Sequence, residues 1–315
     1  MNNINNLQNV IFIAEFNHYK RWPGKSYYDL VTYVQKHTKN YKIHLFWTDD
    51  AKDRIIETIK TTSPSLIVFF ITGCIKAECS NLMDIFQMKI PVACAMLDMF
   101  FPYYGKTDYT LPDALIHIGK NDGIVSCYQK IFPNKCITSF SSRFINLDRF
   151  KDYKLEKKYD ILIYGTRTYD YPFKKEELPA IQKFLSAYEK EKNVHIDDDT
   201  LINFYYLRKR IENLLEKNQH RYRVKILPKS GIYDATVANE DLSKLINQSH
   251  LTVACTTVCD VMMHKYLEIS ASKSVILGNI PSDYEDIFRG NIVEVTEFMS
   301  DSDILSKIDS ALKNK

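Results

Sequence analysis

The chain has 315 residues, of which 45% are hydrophobic and 26% are charged, and its formal net charge is +3. This composition is typical of a soluble globular protein, and the length favours two domains. The small net charge does not indicate a nucleic-acid partner, and no apolar run approaches the roughly 18 residues of a membrane-spanning helix.

The cysteines and the N-terminus indicate a cytoplasmic protein. The seven cysteines form no C-x-x-C pair, and several lie in apolar runs such as "PVACAML". They are therefore expected to be free thiols of the core in a reducing compartment, without a disulfide framework or a zinc knuckle. The start, "MNNINNLQNVIFIAEF", lacks the basic segment and the long apolar core of a signal peptide.

In the first half of the chain, short apolar runs alternate with amphipathic segments. Predicted strands cover residues 9–16, 41–47, 65–72, 91–98, 113–119 and 135–142, and predicted helices cover 26–38, 51–63, 79–89 and 122–132. Apolar strands separated by helices are typical of βαβ units, whose parallel sheet is buried on both faces. We therefore predict a Rossmann-like domain over residues 1–150.

The pattern breaks at residues 143–158, a charged stretch that we interpret as a linker, and then resumes. Predicted strands cover 159–165, 222–227, 251–255, 274–279 and 291–296, and predicted helices cover 179–193, 201–219, 239–249, 303–314 and a segment that begins at Asp260. The fold class is thus α/β, with a second Rossmann-like domain over 151–315 and a C-terminal helix in a position to pack back on the first domain. Two such domains are expected to face a cleft, because ligands bind beyond the carboxyl ends of parallel strands.

Glycine-rich nucleotide motifs are absent. With 9 glycines, the chain contains neither G-x-G-x-x-G nor G-x-x-x-x-G-K-[ST], which disfavours a nicotinamide dehydrogenase or a P-loop enzyme. The loop "GTRTYDYPFKK" is a better phosphate candidate. Gly165 ends a strand and lets the backbone approach a ligand, while Thr166 and Arg167 supply donors. An ordinary solvated loop is the alternative.

The segment "DVMMHKYLEISASKSVILGNIP" carries more ionisable groups than a core helix needs. On a helix, Asp260, His264 and Glu268 share one face, with Lys265 beside them. The stripe is a solvated face with a Lys265–Glu268 pair, a cation site, or a nucleotide site. In the last case the preceding "ACTTVCD", which includes Thr257, presents backbone N–H groups to a diphosphate, and Glu268 accepts hydrogen bonds from ribose.

The same segment resembles the donor site of GT-B glycosyltransferases, especially the group 1 and spore-maturation-type families. Their E-x7-E pattern is matched by Asp260 and Glu268, with Asp for the first Glu, and their K-x-x-E pattern by Lys265 and Glu268. The usual "A-C-G" that follows is "A-S-K" at 271–273, without the glycine. The strand and loop "YDILIYGTR" also resemble the start of the family's C-terminal domain.

The resemblance implies a hexosyltransferase that needs no metal and no resident cofactor. A UDP- or GDP-sugar would lie in the C-terminal domain, where Glu268 binds the ribose and Arg167 and Lys265 meet the phosphates. Asp260 and His264 would face the sugar or the diphosphate. The acceptor is expected to be a glycan or another hydroxyl compound, and the E-x7-E pattern leans to retention.

An inverting reaction needs a base on the acceptor side. The candidates are Glu15 and His18 after the first strand and Asp98 after the fourth, with His18 and Asp98 slightly preferred. A loop histidine and a carboxylate that binds the backbone are the structural alternatives. At the level of function, a nucleotide-sugar epimerase of the same fold and a non-catalytic module that binds glycan or nucleotide are the rivals.

Overall fold

The computed structural model describes the chain over residues 7–15, 26–71, 75–96, 109–140, 145–165, 186, 189–190, 205–227, 239–257 and 260–313. These residues form two compact units, one on a six-stranded sheet and one on a five-stranded sheet. All strand pairs in the two sheets are parallel. The predicted α/β class with two Rossmann-like sheets is therefore confirmed, while the cleft and the domain bounds stay predictions.

The first unit has the strand order β2-β1-β3-β4-β5-β6. Its strands are β1 (Gln8–Ala14), β2 (Tyr41–Trp47), β3 (Leu66–Ile71), β4 (Val92–Met96), β5 (Ala114–His117) and β6 (Cys136–Ser139). Its helices are α1 (Ser26–His37), α2 (Lys52–Thr62), α3 (Ile75–Glu78) and α4 (Asp122–Ile131), with a 3-10 helix at Ser80–Gln87 where we predicted an α-helix.

Local sequence explains these elements. All residues of β4 are buried, as expected of an inner strand with helices on both faces. In α2, Ile55 and Ile59 are spaced by four residues and form the buried face. Helix α4 begins after Asn121, whose side-chain oxygen accepts a hydrogen bond from the N–H of Ile124 at 2.9 Å, so a side chain satisfies one N–H of the first turn.

The second unit has the strand order β11-β10-β9-β7-β8. Its strands are β7 (Tyr159–Ile163), β8 (Val224–Ile226), β9 (Ser249–Val253), β10 (Val275–Gly278) and β11 (Val293–Glu294). Its helices are α5 (Tyr206–Lys217), α6 (Asn239–Asn247), α7 (Lys265–Ala271), α8 (Glu285–Phe288) and α9 (Asp301–Lys313), with a 3-10 turn at Ser282–Tyr284. Of the helix predicted at 179–193, only residues 186, 189 and 190 lie within the described ranges; all three are helical, and they belong to the first unit rather than the second.

Alternation along β7 divides the core of the second unit between the two faces of its sheet. Ile161 and Ile163 pack with residues of α5 and α9 on one face. Leu162 and Tyr164 pack with residues of α6 and α7 on the other. Because successive side chains of a strand point to opposite faces, this register directs Tyr164 towards α7.

The charged stretch that we interpreted as a linker belongs to the second unit over its described part, so the linker interpretation was wrong there. Phe150 is completely buried in the core beside α6 and α7. Further along, the ammonium of Lys157 donates to the carbonyl oxygens of Asn247, Ser249 and Lys273 at 2.6, 2.9 and 2.8 Å. A single lysine thus binds carbonyl groups at the C-terminal ends of two helices, a role that no apolar periodicity could reveal.

The C-terminal helix α9 packs on the second sheet, and the expectation that it packs back on the first domain stays a prediction. Ile304 and Ile308 are fully buried in the core with Ile161. At its start, Asp301 accepts from the Nη2 of Arg210 at 2.7 Å. Helix α9 therefore completes one face of the second unit.

Within the described ranges, none of the helices has both the length and the apolar character that crossing a bilayer requires.

Candidate functional site

The strand order of the second sheet creates a switch point between β7 and β9. The chain passes from β7 to β8 on one side and then crosses to β9 on the other side. In open α/β sheets, ligands bind beyond the carboxyl ends of the strands where the order reverses. The segments that leave these two strands are Tyr164–Gly165 and Ala254–Thr257, so the predicted binding residues Gly165 and Thr257 both lie at this edge.

Glycine at position 165 makes room for a lysine. Its φ is +81°, a conformation that side chains with a Cβ rarely adopt. A Cβ at this position would also collide with the Cε and Nζ of Lys265. The ammonium of Lys265 lies 3.5 Å from the centroid of the Tyr164 ring, a cation–π contact. A positive charge is therefore held against the backbone at the end of β7.

The carboxylate of Glu268 is held at the same place. Its Oε2 accepts a hydrogen bond from the hydroxyl of Tyr164 at 2.6 Å. Burial, reinforced by the charge of Glu268, raises the pKa of Tyr164 well above its ordinary value, so the phenol stays protonated and is the donor. Lys265 and Glu268 are three residues apart on α7 and therefore share a face. Both contact Tyr164: Lys265 lies against the face of the ring, and Glu268 accepts from the hydroxyl.

Asp260 does not lie on this helix, so the predicted helical stripe of Asp260, His264 and Glu268 was wrong. Helix α7 begins at Lys265, and Asp260 has a left-handed φ of +53°. Thr257 explains the late start, because its side-chain oxygen accepts from the N–H of Val261 at 3.2 Å and its carbonyl accepts from the N–H of Asp260 at 2.9 Å. Such local bonds compete with helix formation.

The carboxylate of Asp260 fastens one loop of the sheet edge to another. Its Oδ2 accepts from the N–H of Ser282, in the loop after β10, at 2.9 Å. This hydrogen bond gives Asp260 a structural role at the carboxyl edge of the sheet, where we expected it to contact the nucleotide sugar.

The backbone N–H groups after β9 are engaged within the protein. That of Thr256 donates to the side-chain oxygen of Asn279 at 2.9 Å, and that of Thr257 donates to the carbonyl of Val261 at 3.3 Å. The prediction that this segment offers its N–H groups to a diphosphate is therefore wrong for these two residues. Among the described residues, the ammonium of Lys265 lies next to Gly165 and supplies a positive charge at this edge.

His264 precedes α7 as its N-cap residue and is partly buried. Loss of hydration on burial, followed by the charge of Lys265, lowers the pKa of His264 to about 3. The imidazole is therefore neutral at pH 7 and adds no positive charge for a phosphate.

This histidine should make the protein sensitive to acid. In the unfolded chain its pKa is about 6.5, so from pH 7 to pH 5 the unfolded state gains a proton that the folded state does not, and stability falls by about 2 kcal/mol. His264→Gln should remove that part of the pH dependence, measured as urea unfolding free energies at pH 7 and pH 5. His220→Gln, at an exposed histidine of the same unit, is the matched control. A His264→Gln protein with the full wild-type loss between the two pH values would contradict this account.

Arg208 also lies at the candidate site, and the sequence did not indicate it. It is 1% exposed, its Nη2 donates to the carbonyl of Cys255 at 3.2 Å, and its guanidinium lies 4.4 Å from the ring centroid of Tyr205. Its charge also opposes the burial that raises the pKa of Tyr164, which places it near the end of β7. The sequence does contain one signal of its burial: Arg208 has the helical spacing that places it on the same face as the apolar Ile211 and Leu215.

In the first unit, two buried ionisable residues lie at the carboxyl edge of the sheet. Glu15, a predicted catalytic residue, directly follows β1, is 5% exposed, and donates its N–H to the carbonyl of Phe70 at 3.0 Å. His117, which we did not predict, ends β5 and donates from Nδ1 to the carbonyl of Gly119 at 2.7 Å. Three strand spacings, or about 14 Å, separate β1 from β5, so these two side chains do not form a pair.

Four of the predicted residues lie outside the described ranges: His18, Asp98, Thr166 and Arg167. Their roles stay predictions, as do the catalytic role of Glu15 and the donor-binding roles of the other predicted residues. Within the described part of the chain, no three His, Cys, Asp or Glu side chains converge in a way that would hold a metal ion.

Comparisons with known proteins find no family model and no curated protein that matches this sequence. Among solved structures, the chain is similar to the N-terminal domain of trehalose-6-phosphate phosphatase from Candida albicans, with a TM-score of 0.48, 9% identity, and coverage of 100% of this chain and 95% of that one. It is also similar to UDP-GlcNAc 2-epimerase from Methanocaldococcus jannaschii in complex with UDP-GlcNAc and UDP, with a TM-score of 0.42, 12% identity, and coverage of 98% and 94%. Similarities of this degree carry no argument about activity.

Proposed function

We propose that the second unit binds a nucleoside-diphosphate sugar at the switch point between β7 and β9, and that the chain is a glycosyltransferase. The observation that supports this most is the pairing of Lys265 and Glu268 on one face of α7, both against Tyr164 at the end of β7. A cation next to a carboxylate suits a ligand that carries phosphates next to a ribose diol.

We expect the two side chains to bind different parts of the ligand. The ammonium of Lys265, beside Gly165, attracts the diphosphate. The Oε2 of Glu268 is occupied by Tyr164, whereas its Oε1 has no hydrogen-bond partner among the described residues and can accept from ribose hydroxyls.

Sugar transfer displaces the diphosphate from the anomeric carbon. The bond from that carbon to the phosphate oxygen breaks, negative charge grows on the diphosphate, and fixed positive groups stabilise it. Lys265 supplies that charge, and Arg167 and Thr166, next to Gly165 in sequence, are proposed to add donors. An acceptor hydroxyl loses its proton to a base in the first unit, for which Glu15, His18 and Asp98 are the candidates.

The test is a panel of UDP-, GDP- and ADP-sugars, incubated with the protein with and without added acceptor sugars. Nucleoside diphosphate release that depends on the acceptor and on Lys265 supports a transferase. Lys265→Met should lose the activity, and Lys217→Met, at an exposed lysine of α5, is the matched control. An altered sugar that stays on its nucleotide would instead indicate an epimerase, and binding without turnover of any donor would indicate a non-catalytic module.

A further inference from the structure

We infer that Tyr164 is the residue that sets selectivity for ribose, by holding the carboxylate of Glu268 in position. This inference rests on the proposed function. Tyr164 contacts Glu268, which binds the ribose, and does not contact the ligand itself.

The position of Tyr164 follows from the register of β7. It comes directly after the strand, faces α7, is 4% exposed, and packs in the core with Leu162 and Tyr266. Its ring is therefore fixed by packing. A fixed ring gives its hydroxyl a defined position, in contrast to a polar group on a solvated loop.

Tyr164 makes a separate contact with each of the two ligand-binding side chains. Its hydroxyl donates to the Oε2 of Glu268 at 2.6 Å, and its ring face lies 3.5 Å from the ammonium of Lys265. The hydroxyl bond takes one acceptor position of Oε2, leaves Oε1 to accept from a ribose diol, and restrains the rotation of the carboxylate. The ring contact places the cation. Removal of the hydroxyl alone should therefore affect ribose recognition and spare phosphate recognition.

The experiment compares the affinities of the full chain for UDP and for 2′,3′-dideoxy-UDP, and repeats the comparison with GDP and its dideoxy analogue. For the wild type, we expect the ribonucleotide to bind about tenfold more tightly or better, as for a hydrogen bond to a charged acceptor. In Tyr164→Phe this ratio should fall towards one through weaker binding of the ribonucleotide, with the dideoxy affinity unchanged. Tyr164→Leu, which also removes the ring, should weaken both ligands.

Tyr222→Phe is the matched control. The Tyr222 hydroxyl also donates to a carboxylate, the Oδ1 of Asp309 at 2.7 Å, but it precedes β8 and so lies at the amino edge of the same sheet. This variant should keep the wild-type ratio. If Tyr164→Phe does not fold, Tyr164→Met, which also removes the hydroxyl and leaves Glu268 unchanged, should lower the same ratio.

The outcomes separate this inference from the proposed function. A wild-type protein that prefers the ribonucleotide, with the same preference in Tyr164→Phe, overturns the role of Tyr164 and leaves the nucleotide site intact. Equal weakening of both ligands in Tyr164→Phe also overturns it, because that result indicates only a structural role. A wild-type protein that binds none of the nucleotides overturns both.

Discussion

Replacement of Gly278 by alanine should destabilise the second unit by about 3 kcal/mol or more, because the added methyl group would overlap backbone atoms. A Cβ at Gly278 would overlap the carbonyl oxygen of Ala254 and lie 2.8 Å from its carbonyl carbon. Both atoms belong to backbone that is fixed by hydrogen bonds, since the N–H of Ala254 donates to the carbonyl of Leu277 at 3.1 Å and that of Val295 to the carbonyl of Gly278 at 3.0 Å. The ends of β9 and β10 would have to separate at the carboxyl edge of the sheet.

Gly290→Ala is the control for this prediction. Gly290 has a φ of +78°, but a Cβ there would meet no other atom within 4 Å, so alanine adds only backbone strain of about 1–2 kcal/mol. Urea unfolding followed by circular dichroism would compare the two variants with the wild type. A Gly278→Ala protein as stable as Gly290→Ala would show that the backbones around Ala254 can move apart at little cost.

Glu268→Ala should weaken the binding of nucleoside diphosphates by about 10- to 150-fold. This range corresponds to roughly 1.5–3 kcal/mol for hydrogen bonds to a charged acceptor. The change removes the carboxylate that the Tyr164 hydroxyl holds at the end of β7. Titration calorimetry with UDP and GDP measures the loss directly, and unchanged affinity in a folded variant would remove Glu268 from the site.

Two further variants separate recognition from stability at this position. Glu268→Ala also deprives the buried Tyr164 hydroxyl of its acceptor, which costs stability by itself. Glu268→Gln keeps an acceptor oxygen for that hydroxyl but removes the charge, so it should fold like the wild type and still bind nucleotide more weakly. Glu216→Ala, at an exposed carboxylate of α5, should change neither property.

Most of the architecture could be predicted because both sheets are parallel and buried on both faces. Such strands are continuous apolar runs, as in the fully buried β4, and the helices between them have one apolar face, as in α2 with Ile55 and Ile59. Segments without such a signal were misread. The stretch around Lys157 is charged, yet it is bound to the second unit by hydrogen bonds to carbonyl groups.

The start of α7 shows a limit of helical periodicity. Asp260 and Glu268 have the right spacing for one helix face, but Thr257 offers its hydroxyl and carbonyl to the residues that would begin that helix. When a residue can form local bonds through both its side chain and its backbone, the surrounding packing decides whether a helix begins there. Only the fold determines that Asp260 instead bonds to Ser282 in the loop after β10.

The amino-acid sequence by itself determined the α/β class and the strands. It predicted Gly165 and Glu268 as ligand-binding residues from their types and positions, and Lys265 from the resemblance to GT-B glycosyltransferases. The tertiary structure decided which groups these residues meet. Tyr164 and Arg208 looked like ordinary strand and helix residues, and they lie at the site because the strand order brings the ends of β7 and β9 together. The physical reason is that periodicity reports which face of an element is buried, whereas a site depends on contacts between residues distant in sequence, such as Tyr164 and Glu268.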